Sequence, residues 1–264
     1  MEYGQVSAAR TTSRHKFMDA AEYANLERVE REHWYYAGKR ELVAWWLRRS
    51  GALQRDTVLA DCGAGTGRFA LELASECQVR VVDDHAESLA ILRTRFAADQ
   101  VLPGACTQLP FAADSVDAIT ALDVLEHVEH DAAAVREFHR VLRPRGIAVI
   151  TVPAAMALWS DWDVALHHFR RYNRAGLVAL FPTADWEVEH VNYTNVVVFP
   201  LVWLVRKWRQ WTGADGGRAE DALPPRWVNR LLQFIFVRTG RVAAVPFPFG
   251  VSLLLVARKR GVNR

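Results

Sequence analysis

The chain has 264 residues, 51% hydrophobic and 24% charged, an ordinary globular composition with room for one large α/β domain with insertions or two small domains. Net charge is only +3, yet residues 196–264 hold twelve Lys/Arg against three Asp/Glu, which points to an anionic partner for that third or to a solvated basic face. The polar, mixed-charge start predicts no secretory leader. Cys62, Cys77 and Cys106 have no metal-type spacing, so the cytoplasm is expected and no metal site is.

Residues 1–15 are small, polar and aperiodic, and read as disordered. From Phe17 a helical pattern carries Tyr23, Leu26 and Val29. An aromatic cluster, His33-Trp34-Tyr35-Tyr36, leads to Lys39-Arg40, and a second helix is expected over 41–49, with a basic last turn and Gly51 after it.

Residues 58–74 organise the rest. An apolar run of strand type is followed by Asp61-Cys62-Gly63-Ala64-Gly65-Thr66-Gly67 and then by a helix former, Ala70-Leu71-Glu72-Leu73-Ala74. Strand, glycine turn and helix open a βαβ unit whose turn can hold a nucleotide. In the G-x-G-x-x-G turn a diphosphate would be repelled by a carboxylate at Asp61. The G-x-G-x-G spacing with that acid suits a ligand with a positive or ammonium-bearing tail, which makes a nicotinamide oxidoreductase the poorer reading.

This D-x-G-x-G-x-G run resembles the first motif of the class I S-adenosylmethionine-dependent methyltransferases. Residues His33 to Arg40 resemble the H-W-W-(F/Y)-x-(G/A)-(R/K)-R stretch of a large, type 11-like bacterial subgroup. The resemblance implies an N-terminal helical cap over the cofactor, with Tyr36 and Arg40 reaching its methionine end and Arg40 pairing with its carboxylate. Gly63, Gly65 and Gly67 would form the turn beneath it.

A second strand, Val79 to Asp83, ends in an acid placed to accept both ribose hydroxyls. Asp84 follows, and the run Asp84 to Leu89 resembles the family's D-x-S-P-E-A-L. Gly104 to Phe111 resembles G-D-A-x-x-L-P-F, with Ala105 where the family's Asp receives the adenine amino group. The resemblance then leaves the backbone at Cys106, with Thr107 beside it, for the ring edge. Asp123-Val124-Leu125-Glu126-His127 follows a buried strand and resembles the family's D-V-L-E-H; Asp123 is expected at the cofactor. A helix over 131–142, the turn Arg143-Pro144-Arg145-Gly146 and a fifth strand over 147–152 complete the core.

Beyond it, Trp159, Asp163, His167, Arg170, Arg171 and Tyr172 resemble the subgroup's W-x-x-x-D and H-x-R-R-Y motifs, and the resemblance sets them over the substrate. Residues 186–193 alternate as a sixth strand and 251–257 as a seventh, with two apolar, tryptophan- and arginine-bearing helices between them that would be a lid or lie on a membrane surface. The expected fold is therefore a Rossmann-like, seven-stranded, mostly parallel sheet with helices on both faces. It is read as one domain: cap 1–50, cofactor core 51–152, substrate side 153–195, helical insertion 196–250, last strand and tail 251–264.

The expected activity is methyl transfer from S-adenosylmethionine, as an O-methylation, to a small-molecule or lipid-linked acceptor. His127 and His168 are the candidate bases. No nucleic acid is expected as a partner, and the oligomeric state is left open. Peripheral contact at the inner face of the membrane through 196–250 is expected. The alternative is a non-catalytic methyltransferase-like binding module, which Ala105 favours.

Overall fold

The computed structural model describes residues 28–212, 223–242 and 245–261; the expected disorder of 1–15, the helix start at Phe17 and the stretch 213–222 lie outside them. Seven strands, β1 (Val58–Cys62), β2 (Gln78–Asp83), β3 (Val101–Pro103), β4 (Val116–Leu122), β5 (Leu142–Pro153), β6 (Trp186–Thr194) and β7 (Ser252–Lys259), form one sheet. Their order is β3-β2-β1-β4-β5-β7-β6, and β7 alone runs antiparallel to its neighbours. The order reverses between β1 and β4, which puts a crevice at the carboxyl ends of those two strands, the usual ligand position in such sheets.

The sheet separates two cores. One face packs Phe138, Leu142, Trp186 and Phe181; the other packs Leu42, Leu47, Phe69, Leu73 and Phe236. Strands covered on both faces read as continuous apolar runs, which is why the central stretches 118–122 of β4, 147–152 of β5 and 253–257 of β7 are apolar but for Thr120 and Thr151.

The cap helix α1 runs from Trp34 to Arg49, so the aromatic cluster is its opening turn and not a linker before it. Its first N–H groups need partners outside the helix. His33 accepts from Tyr35 N, and Asn229 Oδ1 accepts from Trp34 N at 2.9 Å. Asn229 belongs to a helix of the insertion, Arg226–Gly240, whose Phe236 packs edge-on against Trp34 and Tyr35. A Cβ on Gly240 would stand 2.3 Å from Leu42, so only glycine lets the two helices approach there. This half of the insertion is thus part of the cap's packing. The other helix, Phe199–Thr212, is different: Leu201, Leu204, Trp208 and Trp211 are exposed, the last at 88%.

The fifth strand begins at Leu142, earlier than expected. Arg145 takes φ +70° and the register with β4 slips between Val116 and Ala118, so the L-R-P-R-G turn lies within the strand.

Candidate active site

The glycine turn leaves β1 and enters the helix Arg68–Leu73. Gly63, Gly65 and Gly67 all have positive φ, where a Cβ is strained. A Cβ at Gly63 would lie 2.6 Å from Val124, and one at Gly67 2.5 Å from Phe96; at Gly65 it would meet nothing within 4 Å. Two glycines are therefore required by packing. The third, Gly65, borders open space.

Asp83, at the end of β2, is buried and accepts hydrogen bonds from Gly65 N at 2.9 Å and His85 N at 3.0 Å. These two N–H groups fix the carboxylate and leave lone pairs for hydroxyl donors. Asp84 is exposed and lies 2.8 Å from His85. Asp61 is buried and accepts from Thr120 Oγ1 at 2.7 Å. Burial pushes its carboxyl up to about 7; the Thr120 hydrogen bond opposes this, and the nearby charges of Asp83 and Glu30 add to it. Glu30, from the cap, accepts from Thr66 Oγ1 at 2.6 Å and so closes over the glycine turn.

Beyond β3, Ala105 pairs with Gln108 in a tight turn that buries Cys106 and exposes Thr107. Neither side chain at 105 or 106 supplies a carboxylate, so a ring lodged here would meet backbone and sulfur.

On the far side of the turn, Asp123 has φ +55° and accepts from Tyr35 Oη and Thr151 Oγ1, at 3.3 and 2.9 Å, and from Lys39 Nζ. Burial raises its carboxyl, but Lys39 beside it, with those hydrogen bonds, holds it below the usual range. Lys39 was not singled out in the sequence. Its Nζ lies 4.4 Å from the Tyr35 ring centroid and 5.7 Å from that of Tyr36.

Arg40 differs from expectation. It is buried, donates from Nε to both oxygens of Glu72 and from NH1 to Glu30 O at 2.7 Å, and so ties the cap to the helix after the turn. That engagement takes it away from a cofactor carboxylate. Tyr36 is half-buried between His33 and Tyr35.

The substrate-side motifs fold onto the 3-10 turn Leu125–His127 at the end of β4. Asp163 is fully buried, accepts from Arg171 Nε at 2.7 Å and NH2 at 3.0 Å, and is capped by Ser160 N. Burial alone would raise the Asp163 carboxyl; Arg171, His168 and Ser160 bring it below its ordinary value. Tyr172 Oη donates to Leu125 O and Asp131, Arg170 reaches Glu129 O and Asp131, and Phe169 N donates to Glu126 O.

Asp163, Arg171 and Tyr172, expected at the substrate, are thus buried and bonded to one another or to the strand ends; they shape the wall. His167 is exposed in a left-handed turn at φ +56°, and Trp159 is half-buried. His168 Nδ1 lies 2.9 Å from Asp163 Oδ1, and its ring meets that of His127 edge-on at 4.6 Å. Burial, then the neighbouring His168, lowers the His127 imidazole, with Asp123 opposing. The two histidines named from sequence are therefore brought together, beside Glu126.

Residues 60–150 match the family described as "Methyltransferase domain". With the seven-stranded order above, this decides the assignment. Residues 60–150 carry a methyltransferase domain. A protein of Mycolicibacterium smegmatis named "Probable S-adenosylmethionine-dependent methyltransferase" is 30% identical over 165 residues, which are 61% of this chain and 62% of that protein. The ubiquinone/menaquinone biosynthesis C-methyltransferase of Rubrivivax gelatinosus is 38% identical over 108 residues, 38% of this chain and 42% of its own. The chain thus spans less than two thirds of the length of these curated relatives.

Among solved structures, the Haemonchus contortus phosphoethanolamine N-methyltransferase 2 in complex with S-adenosyl-L-methionine superposes with a TM-score of 0.54 at 18% identity, over 83% of this chain and 52% of that one. At that identity the likeness is one of fold.

The methyltransferase domain fits its cofactor by its own residues. Asp83 would hold the ribose, the open flank of Gly65 would admit the nucleoside, and Asp61 would face a cationic tail. When bound, the cofactor supplies a methyl group on a sulfonium, open to in-line displacement. The chain's part would then be to align an acceptor with it and exclude water.

Proposed function

We propose that the chain transfers methyl groups from S-adenosylmethionine to a hydroxyl of a small or lipid-linked acceptor, working at a membrane surface. The observation that carries the reading is the pairing of Asp61 and Asp83 across a glycine turn whose middle glycine opens on empty space. The acceptor would enter over the 125–127 turn, where its hydroxyl proton leaves at the His127–His168 pair. A hydroxyl must give up its proton as it attacks the sulfonium, so paired imidazoles suit an oxygen acceptor.

A lipid-linked acceptor is supported by the helix Phe199–Thr212. Its tryptophans Trp203, Trp208 and Trp211 are exposed, and Lys207 lies among them. Among the described residues no helix is long and apolar enough to cross a membrane, so contact would be made by a helix lying on the surface. The Rubrivivax relative, named for ubiquinone and menaquinone biosynthesis, supports a lipidic acceptor, while its own named transfer is to carbon. Ala105 favours the second reading, a module that binds partners without turnover.

The experiment is incubation of the purified chain with methyl-labelled cofactor and cell extract, followed by mass spectrometry of separated lipid and aqueous phases. Label in the lipid phase supports the first reading. Cofactor binding without any labelled product supports the second.

A further inference from the structure

Glu126 is 1% exposed, and its Oε2 has no hydrogen-bond partner. A buried carboxylate oxygen left unpaired costs far more than an ordinary hydrogen bond returns, so it calls for a partner. Among the described residues no Lys or Arg forms an ion pair with it, Lys39 and Arg171 acting on it only at longer range, and the groups within ligand distance are imidazoles. Glu126, His127 and His168 each present one ligand atom, all within 4.8 Å of one another. Contrary to the expectation from sequence, the fold thus assembles a donor set of metal type.

We propose that Glu126, His127 and His168 hold a divalent first-row transition cation, zinc foremost, at the carboxyl end of β4.

The supporting structure matches what such a site needs. Histidine ligands are oriented through their other ring nitrogen by a carboxylate or carbonyl. His168 Nδ1 is on Asp163 Oδ1 at 2.9 Å, which leaves Nε2 for the ion, and Asp163 is itself locked by Arg171. The segment carrying His168 is strapped to the segment carrying Glu126 and His127 by Phe169 N on Glu126 O at 2.8 Å and Tyr172 Oη on Leu125 O at 3.1 Å. His127 is exposed, which gives an entry path.

Two imidazoles and one carboxylate suit zinc, iron, cobalt or manganese better than magnesium or calcium. Three protein ligands leave a coordination position open. The other cluster of this type, Asp83-Asp84-His85, is a weaker case. Asp83 has both oxygens engaged by backbone N–H groups, and Asp84 and His85 are exposed.

The catalytic use of the ion rests on the methyl-transfer reading; its binding does not. At the open position an acceptor hydroxyl would lose its proton to solvent. The resulting oxygen–methyl bond would form as the sulfur–methyl bond breaks, sulfur keeping the electron pair as a thioether. The imidazoles then serve as ligands in place of bases.

The test uses the full chain, free of any histidine tag, stripped with a chelator and titrated calorimetrically with zinc, manganese and magnesium chlorides. One ion per chain is expected, with zinc bound tightest. Glu126→Gln and His168→Gln should each weaken zinc by about tenfold or more, and His85→Ala should leave it unchanged. Glu126→Gln replaces the buried carboxyl by an amide of the same shape, so loss of fold is not its expected result. A cobalt-loaded sample should show ligand-field bands that His168→Gln alters.

Failure to bind any of the three ions at stoichiometric level, preference for magnesium, or affinity indifferent to both substitutions would overturn the site. S-adenosylmethionine titrated in parallel separates the two readings. If it binds where zinc does not, only the cation site is lost. If it does not bind, the methyl-transfer reading is lost whatever zinc does.

Discussion

Lys39 of the cap helix α1 and Asp123 at the end of β4 form an ion pair across 84 residues of sequence, with the side chains 10% and 27% exposed. The pair fastens the cap to the mouth of the site, and Thr151 and Tyr35 complete the carboxylate's hydrogen bonds. Removing one partner of a buried pair leaves the other charge uncompensated, so Lys39→Met should cost about 3 kcal/mol of stability. Restoring neutrality with Lys39→Met/Asp123→Asn should recover part of it. Urea unfolding of the two single variants and the double variant checks the coupling. Because the Asp123 carboxyl is depressed, its contribution is present above the unfolded carboxylate value and lost as pH falls through the folded one. The cap should therefore loosen only in acid.

The opposite sign holds at Asp61. Burial raises its carboxyl to about 7, so its contribution to stability is complete below the unfolded value of about 4 and lost as pH rises through about 7. A cationic cofactor tail requires the ionised form. Cofactor affinity should then rise about tenfold per pH unit below pH 7 and level off above it. Asp61→Asn should bind more weakly and without that slope. Calorimetric titrations between pH 5.5 and 8.5, about the span in which the group titrates, read both effects.

The glycines should separate by role. Gly65→Val adds side-chain bulk on the open flank and should abolish cofactor binding, at a folding cost of about 1–2 kcal/mol for the positive φ. Gly67→Val drives atoms into Leu92 and Phe96 and should lower the unfolding midpoint well beyond that. Asp83→Ala should weaken the cofactor by about 1–3 kcal/mol, with stability little changed. Unfolding midpoints and cofactor affinities for all three distinguish them.

For the membrane surface, Trp208→Ser/Trp211→Ser should abolish co-sedimentation with anionic vesicles, and Lys207→Ser should weaken it and reduce its salt dependence. Arg206, an arginine of the same helix, is turned away from any head groups. It is 6% exposed, donates to Leu158 O and lies 3.8 Å from Asp163. Arg206→Ser should destabilise the 156–163 segment and leave lipid-charge preference intact. The side chain of Arg209 lies outside the described residues.

The arrangement around the glycine turn was legible in sequence because it is local. Asp61, three glycines and Asp83 fall within one strand–turn–helix–strand unit, and the turn dictates where each can point. The insertion's two helices were also legible as apolar and cationic, but not which face each would cover. That depends on Asn229 capping a helix 195 residues earlier and on Gly240 admitting Leu42. Lys39, Arg40 and Arg206 show the same limit: a cation's partner is set by the tertiary approach of Asp123, Glu72 or Leu158, which no spacing encodes. The histidines were nameable singly. Their meeting with Glu126 needed the strap from Phe169 and Tyr172.

The central claim is that this pocket delivers a methyl group from S-adenosylmethionine. Its most direct test is transfer from methyl-labelled cofactor in extract, with lipid and aqueous phases analysed separately, for the wild-type chain and Asp83→Ala. The account predicts a labelled, lipid-phase product whose formation falls sharply in the variant at limiting cofactor. Equal labelling by wild type and Asp83→Ala at limiting cofactor, or no labelled product in either phase from a chain that binds the cofactor, would contradict it.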